Sequence, residues 1–184
     1  MYLFPILALF LQFGISTASD CVCTQVDCPI VGKNTVIMGN GGTTITYTYA
    51  QHKDEIVVVS ATGTVLPTSL DNGSETTSCT QKYSRMLEDD GKDNCDAGHI
   101  LANRLGGYGN IPTNIFPQDP SINRGSYAQF EGKIYDCIHN DTIQGDLSWT
   151  FYYESNTHTM PNRIEYAAIF TGGYCDNMSS EFTN

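Results

Sequence analysis

The chain is short of positive charge. Its 184 residues carry nine Lys and Arg against twenty Asp and Glu, a formal net charge of −11. This argues against broad electrostatic attraction to a polyanion. After Phe13 there is no second long apolar run, so no transmembrane helix is expected downstream. There is also no internal repeat, low-complexity tract or obvious linker, which leaves one domain. Neither a nucleophile triad nor a motif of paired carboxylates is recognisable, which argues against an exported effector acting on protein or glycan. Cys137 lies too close to His139 in sequence to be read as a nucleophile with its base.

What is present begins with an apolar stretch, Met1–Phe13, followed by Ser16-Thr17-Ala18. The small-x-small ending and the length read as a secretory signal over residues 1–18, although its first residues carry no Lys or Arg. Secretion without stable membrane association is the expectation. All seven cysteines, Cys21, Cys23, Cys28, Cys79, Cys95, Cys137 and Cys175, fall after it. In an exported chain they read as disulfides, and the odd count leaves one over. No histidine stands at finger spacing from Cys21, Cys23 and Cys28, so zinc is disfavoured there. A Cys79–Cys95 bridge would pin the approach to the motif described below. Asn72, Asn140 and Asn177 open N-x-[ST] sequons, surface glycosylation sites in a eukaryotic secretory pathway.

Residues 19–33 read as a cysteine-containing arm, and residues 34–184 as the functional domain. Val36-Ile37-Met38, Asn40-Gly41-Gly42 and the alternating Thr43–Tyr49 predict a β-hairpin. Ile56–Ser60 is a continuous apolar strand, and Gly63–Leu66 pairs with it or extends it. Residues 67–81 read as a polar surface loop. Glu88–Asn94 is an acidic loop without the ligand register of an EF-hand. Tyr127, Phe130, Ile134, Tyr135 and Ile138 follow helical spacing. Leu147–Tyr153 and Ile164–Thr171 read as two more strands, and the tail after Gly173 is polar. The fold class is α+β with a central antiparallel sheet.

The chemistry concentrates between Asp96 and Glu131. Residues 82–133 hold six of the nine basic side chains and seven acids, so this stretch is −1 and the remainder −10. His99 stands at the end of a short strand and suits a general base near neutral pH. Asn123 lies at a helix start and offers a neutral oxygen ligand. Glu131 follows eight residues later, about 80° further round an ideal helix. A hard cation with few protein ligands and several waters suits Mg²⁺. Arg85, Arg104 and Arg124 are the candidate phosphate contacts. The acidic loop is expected to raise the pKa of His99.

Asp96-Ala97-Gly98-His99, then Asn114-Ile115-x-Pro117-Gln118, then Asn123-x-Gly125 and Glu131 resemble the DNA/RNA non-specific endonuclease family. Its signature is D-R-G-H, N-x-x-P-Q and N-x-G, with a glutamate eight residues after the last asparagine. The resemblance implies a ββα-metal (HNH-like) site, with His99 as general base and Asn123 as the direct Mg²⁺ ligand, Mn²⁺ being a substitute. It implies Glu131 as the group that orients water around the cation, and Asn114 as a supporting catalytic residue near the histidine and the scissile phosphate. Cleavage of DNA and RNA with little base preference follows, giving 5′-phosphate and 3′-hydroxyl ends. An inhibitor protein and the oligomeric state stay open. Ala97 departs from the pattern, standing where many members carry a phosphate-binding arginine. The alternative that this departure raises is a catalytically weak or inactive binding protein on the same scaffold.

Overall fold

The structure, a computed structural model, describes residues 29–87, 94–141 and 143–184. The signal-like segment, the three N-terminal cysteines and acidic residues 88–93 lie outside the described residues. Among those described, no helix is long and apolar enough to cross a membrane.

Six strands form one antiparallel sheet: β1 (Gly32–Met38), β2 (Thr43–His52), β3 (Glu55–Val65), β6 (Gly145–Tyr152), β7 (Arg163–Phe170) and β8 (Met178–Thr183), in the spatial order β1-β2-β3-β6-β7-β8. The expected hairpin is β1–β2, in register from Gly32↔Tyr49 to Met38↔Thr43. Gly63–Leu66 extends the apolar strand: Gly63 and Val65 belong to β3 and pair with β2 and β6. Inward residues alternate along β2 and β6, as a sheet covered on one face demands. Strand β8 lies in the tail read as merely polar. Its side chains alternate between half-buried and exposed until Phe182, which packs on Tyr127 and Phe130.

On the covered face sits a ββα unit. Strands β4 (Asp96–His99) and β5 (Ile115–Gln118) pair antiparallel, from Asp96↔Gln118 to His99↔Ile115. A helical segment follows: α2 (Pro120–Ile122), a π-helical turn (Asn123–Tyr127) and α3 (Ala128–Asp141). The apolar face of α3 is the expected one, with Phe130, Ile134 and Ile138 buried. Tyr127 and Phe130 meet Tyr166 of β7, whose ring packs 4.6 Å from that of Trp149. Phe116 of β5 meets Phe151 of β6 edge to face at 5.2 Å. These aromatic contacts lock the ββα unit to the sheet.

A further helix, α1 (Ser78–Leu87), rises from the end of the segment read as a loop. Its Tyr83 and Leu87 form a small buried cluster with Val57, Ala97 and Ile115, so α1 backs the β4–β5 pair. The disulfide among the described residues joins Cys137 of α3 to Cys175 before β8. Cys79 and Cys95 are not bridged to each other as expected: Cys95 is buried with its thiol 3.5 Å from the Met160 sulfur.

Candidate active site

The first turn of the helical segment decides what Asn123 can do. Asp119 caps that helix, its Oδ1 accepting from the Ser121 and Ile122 amides at 2.8 and 3.3 Å. Pro120 fills the first helical position. Asn123 is therefore not the cap, and its side chain is available. Asp96 takes hold of it: Asn123 Nδ2 donates to Asp96 Oδ2 at 2.9 Å. A carboxylate only accepts, so this bond turns the amide nitrogen toward Asp96 and leaves the carbonyl oxygen as the outward group.

The π-helical turn changes the geometry expected of an ideal helix. Gly125 departs from helical angles, with φ −111° and ψ −110°. One residue accommodated in this way removes about 100° of rotation from the Asn123–Glu131 interval. The offset of about 80° expected of a regular helix then becomes about 20° in the opposite sense. Both side chains accordingly line one cavity of about 440 Å³, together with His99, Arg104, Asn103, Asp71 and Glu75.

His99 is held by a segment that the sequence presents as an ordinary loop. Its Nε2 lies 3.0 Å from the carbonyl oxygen of Ser74. A carbonyl only accepts, so the proton sits on Nε2 and Nδ1 keeps its lone pair. The same carbonyl accepts from the Gly109 amide at 2.9 Å, and the Ser74 amide donates to Gly107 at 3.0 Å. A Cβ on Gly109 would stand 2.5 Å from His99 Nε2, so only glycine lets the segment close on the ring. Glu75 is fixed beside it by Asn103, whose Nδ2 donates at 2.6 Å. Burial pushes the His99 pKa below its ordinary value, and the Ser74 carbonyl and the Glu75 charge offset this only in part. The expected rise from the acidic loop is thus corrected: desolvation dominates.

Glu131 is half-buried, with Oε1 out of reach of solvent and without a hydrogen-bond partner. Burial raises its pKa to about 8, against the opposing charge of Arg104. An orphaned carboxylate oxygen and the turned-out Asn123 carbonyl on one cavity suit a hard, oxygen-seeking cation. No cluster of three or more His, Cys, Asp or Glu among the described residues is arranged to hold a metal. A cation here would keep several waters, as Mg²⁺ does.

The other expected site residues divide. Arg104 lines the cavity. Arg85 is exposed on α1 and does not line it. Arg124, also exposed, donates to both oxygens of Asp96, Nε at 2.8 Å and Nη2 at 2.6 Å. Burial alone would raise the Asp96 pKa, but the bonds from Arg124 and Asn123 hold it below its ordinary value. Arg124 is thus half of an ion pair rather than a free phosphate contact. Asn114 is fully buried, and all four hydrogen bonds of its amide are made within the protein. It accepts from the Tyr47 hydroxyl and the Leu101 amide and donates to the Leu101 and Tyr108 carbonyls. It does not line the cavity, and it ties down the chain that leaves His99. Ala97 is buried in the apolar cluster with Tyr83 and Leu87 and does not line the cavity.

A family model described as DNA/RNA non-specific endonuclease matches residues 35–168, most of the chain and every residue of this cavity. The chain belongs to the DNA/RNA non-specific endonuclease family. It is 42% identical over 117 residues to a probable deoxyribonuclease RhsA of Dickeya dadantii (strain 3937). That alignment spans 62% of this chain but 8% of the much longer relative. In solved structures the endonuclease domain resembles NucA of Streptococcus agalactiae with magnesium ion bound, at a TM-score of 0.52 and 10% identity, covering 83% of this chain and 84% of that one. The form of NucA with no metal bound gives 0.51, also at 10% identity, over 83% of each chain. At that identity the likeness is one of fold, and it matches the mixed architecture built around the central antiparallel sheet.

Proposed function

We propose that this domain is an exported endonuclease that hydrolyses phosphodiester bonds of DNA and RNA with Mg²⁺. The observation that carries the reading is that His99, Asn123 and Glu131 share one polar cavity, with the imidazole proton fixed on Nε2.

His99 Nδ1 takes the proton of the attacking water, and the depressed pKa keeps that nitrogen free at neutral pH. The Ser74 carbonyl holds the tautomer throughout and steadies the imidazolium that results. Arg104 faces the same cavity and stabilises the phosphate oxygens as charge builds on them. Asn123, its amide turned by Asp96, would supply a carbonyl ligand for Mg²⁺, and Glu131 would orient water beside it. When bound, the cation supplies charge neutralisation at the phosphate and the leaving oxygen. Water attack at phosphorus with cleavage of the P–O3′ bond, the departing oxygen taking a proton from solvent water, gives 5′-phosphate and 3′-hydroxyl ends.

Digestion of plasmid DNA and total RNA by the oxidised protein, with Mg²⁺ and with EDTA, tests this reading. Cleavage that requires the cation and disappears in His99→Ala supports it. Cleavage that survives His99→Ala relocates the base. A folded wild-type protein that cleaves nothing across pH and divalent cations returns the alternative of a binding protein on the same scaffold.

A further inference from the structure

Helix α3 carries Glu131, Tyr135 and His139 at successive intervals of four, so the three share one face. Glu131 is on the cavity, and His139 stands about 12 Å along the helix from it. The side chains between are ordered by contacts. The rings of Tyr135 and His139 are stacked, 5.5 Å apart and inclined by 11°. The Arg104 guanidinium lies 5.9 Å from the centroid of the Tyr135 ring. The Tyr135 hydroxyl donates to Asp71 Oδ2 at 2.7 Å, which fixes the ring plane, and Asp71 and Arg104 themselves line the cavity. His139 is exposed. A cation, a fixed aromatic ring and an exposed imidazole therefore follow one another outward from the cavity wall. Single-strand binding surfaces combine these two elements, a positive group on the backbone and flat rings on which bases of any sequence stack.

We propose that Arg104, Tyr135 and His139 form a stacking lane for the strand flanking the scissile phosphate, the phosphate lying against Arg104 and the face of a base further along the strand lying on His139. The lane rests on the endonuclease reading, and it gives that reading a substrate subsite outside the catalytic cavity. Stacking reads the face common to all bases, so the lane grips without selecting sequence. The Asp71 hydrogen bond keeps Tyr135 in place before substrate arrives, which lowers the ordering cost of binding.

The test measures binding without cleavage. The full oxidised chain carrying His99→Ala is titrated in EDTA with a fluorescent twelve-residue oligothymidylate and with an abasic strand of equal length. Adding His139→Ala is expected to weaken the oligothymidylate roughly tenfold, as loss of one stacking platform does, and to leave the abasic strand unchanged. Tyr135→Phe, which keeps the ring and loses only the Asp71 bond, is expected to retain most of the affinity, whereas Tyr135→Ala loses it. Equal weakening of both strands, no weakening of either, or a parent that binds neither overturns the lane. Hydrolysis of bis(p-nitrophenyl) phosphate by the wild-type protein with Mg²⁺ is read in parallel. This substrate has no nucleobase to stack, so its failure counts against the endonuclease reading and the oligonucleotide titration still decides the lane.

Discussion

At the residue scale, burial pushes His99 and Glu131, two of the titratable groups lining the cavity, in opposite directions. For His99, burial disfavours the imidazolium, so the folded pKa lies below the ordinary 6.5. With saturating Mg²⁺, the acid limb of the rate profile is expected below pH 6.5, and a limb above that value would remove His99 as the base. The neutral ring stabilises the fold above pH 6.5, and that contribution is lost as pH falls through the folded pKa. For Glu131, burial disfavours the carboxylate and raises the pKa from 4.5 to about 8. The folded state then holds a proton that the unfolded chain has released. This contribution to stability is fully present below pH 4.5 and is lost as pH rises through about 8. Glu131→Gln keeps the shape without the charge, so in EDTA at pH 8.5 it should melt higher than the parent by about 3 °C, the shift that ~1 kcal/mol makes in a domain of this size. At pH 4 the two should melt together. A variant no more stable than the parent at pH 8.5 would mean that Glu131 is ionised without cost. A bound cation favours the carboxylate, so the Mg²⁺ concentration needed for half-maximal rate should fall as pH rises toward 8.

At the scale of the element, the segment after β3 holds His99 and the π-helical turn brings Asn123 and Glu131 onto one cavity. Ser74 and Gly109 close on His99 from two loops, and Gly109 has no room for a side chain. A Cβ on Gly109 would also stand 2.6 Å from backbone atoms of Glu75 and Thr76, so Gly109→Ala should lower the melting temperature as well as displace the imidazole, with a rate loss on the order of a hundredfold, the cost of misplacing a catalytic group by about 1 Å. Oligonucleotide binding measured in EDTA should change far less. A Gly109→Ala enzyme with wild-type rate would show that the Ser74 contact is dispensable. Strand β4 and its backing by α1 explain why Ala97 breaks the family pattern. Residue 97 faces Tyr83, Leu87, Val57 and Ile115, and an arginine there must overpack the cluster and bury a charge. Ala97→Arg is therefore expected to lower the melting temperature rather than to raise activity, and a more active variant of unchanged stability would refute that packing argument. These features were only partly legible in sequence. That His99, Asn123 and Glu131 belong together was readable from the joint pattern and its family resemblance, and the three line one cavity. The Ser74 contact was not, since a backbone carbonyl leaves no signature in side-chain identity. Nor was the π-helical turn, because Gly125 reads as a family residue rather than as a change of helical phase. Helix α1 begins in a Thr/Ser-rich stretch, and its one strong apolar pair, Tyr83 and Leu87, is too sparse to announce a helix.

At the scale of the molecule, the central sheet was legible because its strands alternate or run apolar between clear turns, whereas β8 was hidden by its polar residues and depends on β7 for its pairing. The Cys137–Cys175 bridge ties α3 to the segment before β8 across a separation of 38 residues. Closing a loop of that length stabilises the fold by roughly 4 kcal/mol. Replacing both cysteines by serine should lower the melting temperature by about 10 °C; a negligible shift would show that the sheet alone holds the helix. The charge distribution leads to a sharper test. Six of nine cations lie around the motif in sequence, among seven acids, so that stretch is far less negative than the remainder of the chain. In the fold Arg124 is neutralised by Asp96, Arg85 points elsewhere, and Arg104 is the cation among the described residues lining the cavity, with Asp71, Glu75 and Glu131 beside it. On the proposed function, such a site would attract its substrate through Mg²⁺, when bound, and a very small number of phosphate contacts. Each phosphate contact contributes a slope of about −0.9 to the fall of log affinity with log salt on duplex DNA. The slope measured at fixed saturating Mg²⁺ should therefore be about −1 to −2, and Arg104→Ala should reduce it by about 1. A slope near −5 would require several further cations on the substrate path and would move that path off the α3 face toward the Arg85 side of the molecule.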